Sequence, residues 1–206
     1  AQDGQTVKLL KDFTENNLPN ATKTMTLDLN GHTLTTNRLV SQGDLTIVDS
    51  TVTEEPVVSN DYGTVTYESG KIKVTGTAVY AAFGGTVTLK SGTIESDYLG
   101  AYVQGDTTGA ETISSTFNVE GGYIIAQEFA ATTQGKGATL NISGGVLVAK
   151  DNAVVAGNGT KTADKNMGGT VIDISGGTMI GHIISSGYIA CGVYHPQQGE
   201  LTISGG

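Results

Sequence analysis

Three acidic residues recur at nearly the same place in consecutive stretches of this 206-residue chain. Counted from the apolar residues Val87, Phe117 and Leu140, the acids Asp97, Glu128 and Asp151 follow ten, eleven and eleven places later. A glycoside hydrolase needs two carboxylates ~5 Å apart for retention or ~6.5–9.5 Å for inversion. Strands stacked ~4.8 Å apart would put neighbouring members of this row near the first separation and Asp97 and Asp151 near the upper limit of the second. The same row offers a hard cation several carboxylate oxygens, so Ca2+ is the one cofactor the residues suggest. Against both readings, short polar turns collect acids without forming any site.

A second set is aromatic. Tyr80, Tyr98, Tyr102 and Tyr194 precede or adjoin long polar insertions that carry Asp106, Asn158 and Asp164. A phenol can lie against a sugar ring while its hydroxyl hydrogen-bonds, so these seven residues form a candidate glycan site. The alternation around them is ambiguous, and an equal reading turns half of the tyrosines into the core. Other chemistry finds little support. His32, His182 and His195 fit no zinc spacing, Cys191 sits in an apolar run, and neither a Gly-x-Ser-x-Gly elbow nor a phosphate loop occurs.

The elements that must position these groups are legible as a repeat. Its copies read Leu27-Asp-Leu-Asn-Gly-His-Thr-Leu34, Leu45 to Val52, Val65 to Ile72, Val87-Thr-Leu-Lys-Ser-Gly-Thr-Ile94, Phe117 to Ile124, Leu140-Asn-Ile-Ser-Gly-Gly-Val-Leu147 and Ile172 to Met179. An eighth begins at Leu201 and is cut short at Gly206. Offsets 0, +2 and +7 are apolar in every complete copy, which is a strand, a tight bend and the start of a second strand. Runs such as Ala78-Val-Tyr-Ala and Ala101-Tyr-Val-Gln supply a third strand. A unit this short cannot bury its own apolar face, so the units must stack.

The expectation is an all-β, right-handed parallel β-helix of about seven coils with three short strands each and little or no helix. Its coils begin near 27, 45, 65, 87, 117, 140 and 172, with a truncated eighth at 201–206. Residues 1–23 are expected to form an N-terminal cap strand and turn, and 24–206 the helix proper. Insertions from Gln104 to Ser115, Gly157 to Gly169 and His195 to Gly199 should gather on one face. Outward rows should include Thr26/Asp28, Asp44/Thr46, Thr64/Thr66, Thr86/Thr88, Thr116/Asn118 and Thr139/Asn141. The absence of a recognisable C-terminal cap predicts an edge continued by more chain or covered by a partner.

Composition agrees with a solenoid and narrows its partners. Thirty Gly and thirty Thr, with 15% charged residues and no Gly-X-Y period, exclude collagen and charged disorder. A net charge of −9 argues against nucleic acid and anionic membranes, and no apolar run is long enough to insert in a bilayer.

The Leu-Asp-Leu-Asn-Gly and Ser-Gly-Gly motifs, with Thr6-Val-Lys-Leu-Leu-Lys-Asp12 ahead of them, resemble the pectate-lyase-like β-helix modules of large cell-surface proteins from Gram-positive, gut-type bacteria. That resemblance implies an extracellular, secreted or wall-attached protein that binds a glycan or a host or cell-surface protein. It also brings in lyases, which pair several Asp on calcium with a basic residue. The only guanidinium here, Arg38, has just Asp28 on its coil and no Asp cluster, so the lyase set is unmatched. The expected function is therefore a non-catalytic module for adhesion or carbohydrate binding. The alternatives are a polysaccharide-cleaving enzyme using the acidic row and a structural spacer.

Overall fold

A computed structural model describes residues 2–59, 64–108, 113–157, 169–182, 191–195 and 198–206. The chain winds through strand, corner, strand, corner, strand and then begins again one layer higher. The first coil holds β1 (Gln5–Lys8) and β2 (Phe13–Thr14), and Ala21 bridges to Ser41 at its third side. The second holds β3 (Met25–Asp28), β4 (Thr33–Thr36) and β5 (Leu39–Ser41). The third holds β6 (Asp44–Val48), then a hairpin of β7 (Val57–Val58) and β8 (Val65–Thr66), then β9 (Lys71–Val74) and β10 (Val79–Ala81).

Three coils follow with the full set of strands. They are β11 (Thr86–Leu89), β12 (Thr93–Ser96) and β13 (Ala101–Gln104); β14 (Thr116–Val119), β15 (Tyr123–Ala126) and β16 (Ala131–Gln134); and β17 (Thr139–Ile142), β18 (Val146–Ala149) and β19 (Val155–Ala156). The last coil carries β20 (Val171–Ile174), β21 (Thr178–Gly181) and β22 (Val193–Tyr194), and β23 (Glu200–Ile203) opens another. Three parallel sheets result, of eight, seven and six strands, and no helix occurs among the described residues. The fold is the expected right-handed parallel β-helix of about seven coils.

Each sheet sends every second side chain inward. In the first sheet Leu45, Val87, Phe117, Leu140 and Ile172 stand in register on successive rungs. In the second sheet Leu34, Ile72, Ile94, Ile124 and Leu147 do the same. Both columns are buried and belong to one continuous core. Glycines mark the corners because coils there approach closely. A Cβ at Gly144 would run into the carbonyl oxygen of Glu120 on the coil below.

Within the stretch 1–23 expected to cap the solenoid, β1 and β2 pair in parallel with β3 and β4 and so form its first rung. Two expectations need correction. The first repeat is displaced by two places, since Met25 faces Leu45 and Leu27 faces Ile47. Asn30 and Gly31, both left-handed at φ 49° and 75°, close a turn there that absorbs the two extra residues.

The copy at Val65 does not begin a coil. β8 pairs antiparallel with β7 outside the solenoid, and β6 pairs directly with β11. Thr64 and Thr66 therefore leave the outward rows of the first sheet. The two-place shift also moves Thr26 opposite Thr46 and Asp28 opposite Val48. From Asp44/Thr46 onward the remaining rows form as expected: Thr88, Asn118 and Asn141 are in register, and each asparagine amide donates to the rung before it, at 3.1 and 2.9 Å.

Candidate functional site

The hairpin is an excursion of the chain between β6 and β9, and one buried carboxylate ties both of its ends to the solenoid. Asp49 is 2% exposed. It accepts hydrogen bonds from the Thr51 N–H at 3.0 Å, the Thr51 hydroxyl at 2.7 Å, the Gly31 N–H at 3.0 Å and the Gly70 N–H. Thr51 opens the excursion and Gly70 ends it. Burial would raise the Asp49 carboxyl, but these donors outweigh it and hold the group below the usual aspartate range.

Held in this way, the excursion forms one wall of a cleft whose floor is the outer face of the second sheet. The cleft has a volume of about 770 Å³, within the roughly 300–1,000 Å³ of small-ligand sites. Its floor comes from the outward residues of three consecutive rungs. Lys71, Thr93 and Tyr123 are in register, and beside them run Lys73, Glu95 and Ile125. Tyr67 and Glu68 belong to the wall, and Lys150 lines the far end.

Glu95 is the electrostatic centre of this floor. The Lys71 ammonium lies 3.0 Å from its carboxylate and that of Lys73 3.8 Å. Partial burial would raise the Glu95 carboxyl, but the Lys71 hydrogen bond and the charges of Lys71, Lys73 and Lys150 bring it below its ordinary value. Tyr123 is pushed up by burial and by the Glu95 charge. Tyr67 is pushed up mainly by burial, while its oxygen accepts the Gly92 N–H at 3.2 Å. The arrangement offers ammonium donors, a fixed carboxylate acceptor and two half-buried phenol rings. It does not offer a general acid at Glu95, because glycoside cleavage needs a carboxyl raised enough to carry a proton.

The residues singled out from sequence are distributed unevenly. Tyr80 and Tyr102 meet on the third sheet, in register, with ring centres 4.8 Å apart and edge to face. The Tyr102 hydroxyl donates to the Gln134 side chain, and burial, with the Tyr80 ring beside it, pushes that phenol up. Tyr98 is exposed at the corner before this sheet, and Tyr194 is exposed three rungs further along it, beyond Thr132 and Ala156. Asp106 does not rim an open surface. It is buried, and its carboxylate accepts from the Thr108 N–H and hydroxyl at 2.8 and 2.7 Å. Asn158 and Asp164 lie outside the described residues.

Asp97, Glu128 and Asp151 do not form one row of three. Ser96 pairs with Ala126, so Asp97 is matched by Gln127 and not by Glu128, whereas Ala126 pairs with Ala149, which sets Glu128 against Asp151 on the next rung. Side-chain amides serve the other two acids: Gln127 donates to Asp151 and Asn152 donates to Glu128. Among the described residues no group of three acidic, histidine or cysteine side chains is arranged to hold a metal.

The sequence reading missed the cleft, although a signal for it exists. Lys71/Lys73, Thr93/Glu95 and Tyr123/Ile125 all stand six and eight places after the first apolar residue of their repeats at Val65, Val87 and Phe117. Those two offsets flank the inward residue at +7, so they define the outer rows of the second sheet. No protein-family model, curated protein or solved structure matches the chain.

Proposed function

We propose that this chain is a carbohydrate-binding β-helix module that holds a glycan in the cleft between the second sheet and the hairpin. The observation that carries the reading is the cleft floor, where Tyr123 stands beside a carboxylate pinned between two ammonium groups. Sugar hydroxyls both donate and accept, so a fixed acceptor among fixed donors suits them, and a phenol ring offers its face to the sugar's C–H surface. A binding role is favoured over cleavage because Glu95 is driven toward ionisation, away from the general-acid range.

The likeness of the repeats to pectate-lyase-like modules of Gram-positive surface proteins gives this reading its setting. In it, the chain is an extracellular adhesive or glycan-targeting unit, displayed on a cell surface or secreted. Glycan-array binding, with reducing-sugar and unsaturated-uronate assays on the same glycans, tests it. Binding without product is expected, and it should be lost in Tyr123→Ala and Glu95→Gln. Turnover of any bound glycan would replace the module with an enzyme, and silence in all assays would leave a spacer.

A further inference from the structure

A second pocket lies on the third sheet, where its first rungs meet the corner that leads back to the first sheet. Its volume is about 330 Å³, and its polar lining is Arg38, Asn20, Gln42 and Gln104, with Tyr80 and Phe83 as its aromatic members. The rungs explain the grouping. Val40 pairs with Tyr80 and Tyr80 with Tyr102, so Arg38 and Gln42, two places either side of Val40, flank the same outward column, and Gln104 extends it.

Two features of this pocket are unexplained by folding. Arg38 is the only arginine of a chain with net charge −9, yet among the described residues no carboxylate lies within ion-pair distance of it, and none lines the pocket. Phe83 is 64% exposed and adopts φ +54°, a left-handed conformation that bulky residues avoid. It occupies the first central place of a turn closed by the Gly85 N–H on the Ala82 carbonyl at 2.9 Å, followed by Gly84 at φ +87°. Such turns favour Asn or Gly at that place. A phenylalanine there is both strained and wet, and neither cost is recovered by packing.

We infer that this pocket binds an oxyanion-bearing sugar. The Arg38 guanidinium engages a sulfate or carboxylate group through paired N–H donors, Phe83 and Tyr80 cover the apolar side of the ring, and the three amides hydrogen-bond its hydroxyls. The absence of any acidic lining residue favours an anion here, whereas the cleft on the second sheet matches its lysines with Glu95. The inference rests on the carbohydrate-binding reading for its class of ligand, but it uses a different sheet and different residues, so each can fail alone.

The test is calorimetric titration of the full chain with three tetrasaccharides: κ-carrageenan-derived (sulfate only), unsulfated chondroitin (carboxylate only) and cellotetraose (neutral). One or both charged probes should bind, and whichever binds identifies the oxyanion. Arg38→Gln should weaken that binding about tenfold or more while leaving any binding of cellotetraose unchanged. Phe83→Gly separates site from scaffold. Glycine suits a left-handed φ, so the melting midpoint should hold or rise while affinity for the charged probe falls.

Charged probes that bind Arg38→Gln as well as they bind the parent chain would overturn the inference, as would charged probes that bind no better than cellotetraose. A lowered midpoint in Phe83→Gly would make Phe83 a packing residue and remove it from the site. Loss of cellotetraose binding in Tyr123→Ala, with charged-probe binding intact, would confirm that the two sites are separate.

Discussion

Asp49 shows how much one side chain can decide. Its four hydrogen bonds link the start of the excursion, its end and the corner of the previous coil. Asp49→Ala leaves the Gly31 and Gly70 N–H groups without their acceptor, and a loss of about 1–3 kcal/mol is expected in denaturant unfolding. The pH dependence follows from the direction of the shift. A carboxyl held below its unfolded value of 3.8 stabilises the fold fully above that value, and the contribution disappears as pH falls through the lower folded value. Asp28 acts in the same sense: burial would raise its carboxyl, but the Ser50 and Asn30 N–H groups and Lys8 outweigh that. The parent chain should therefore lose stability below about pH 4, and Asp49→Asn should flatten that acid limb in melts from pH 5 to pH 2. The acidic row carries a contrasting expectation. Among the described residues no three acids are grouped to hold a metal, so adding Ca2+ or a chelator should leave the melting midpoint where it is. An increase with Ca2+ would restore the cation proposed from the sequence row.

Elements were easier to read than the way they pair. Alternation about Leu45, Val87, Phe117, Leu140 and Ile172 sufficed to place the first sheet, because a one-residue slip would turn every apolar side chain outward. The third copy misled for a physical reason. Val65-Thr-Tyr-Glu-Ser-Gly-Lys-Ile72 has the pattern of a coil opening, but only its last part enters a sheet of the solenoid, as β9, while Val65 and Thr66 pair in the hairpin. Hairpin strands and solenoid strands share the same period of two, and pattern alone does not reveal the partner. The same ambiguity hid the cleft, whose wall is this hairpin, and it also left the tyrosines undecided between core and surface. The hairpin should be removable. β9 is held between β4 and β12 and β6 between β3 and β11, independently of the excursion. Replacing Thr51–Ser69 by a short Ser-Gly linker should keep the β-sheet circular dichroism spectrum, because shortening a surface loop changes closure entropy only slightly. Binding of the array-selected glycan should be lost with the wall, and retention of that binding would move the site off this cleft.

At the scale of the molecule, the solenoid spreads its stability along an axis. Every rung contacts the rungs above and below, so stability is a sum of local terms and not the property of one central cluster. Among the described residues Phe117 is the largest fully buried side chain, and it lies in the middle of its column with Val87 below and Leu140 above. Phe117→Ala should cost about 3–5 kcal/mol, the usual loss for emptying an aromatic site in a core. The loss should also be confined. Amide hydrogen exchange should accelerate most in β11, β14 and β17, the strands that share the emptied volume, while β1 and β3 keep their protection. A uniform increase in exchange over all coils would show instead that the chain unfolds as one cooperative block. The two proposed sites bear on this directly. The cleft spans the third to the sixth coil through Lys71, Glu95, Tyr123 and Lys150, whereas Arg38, Tyr80 and Phe83 of the second pocket rest on the second and third, with Asn20 from the first and Gln104 from the fourth at its edges. Local unfolding around Phe117 would therefore weaken glycan binding in the cleft and leave binding at Arg38 nearly intact, which titration of Phe117→Ala with the array-selected glycan and the charged tetrasaccharides would read as two separate changes in affinity.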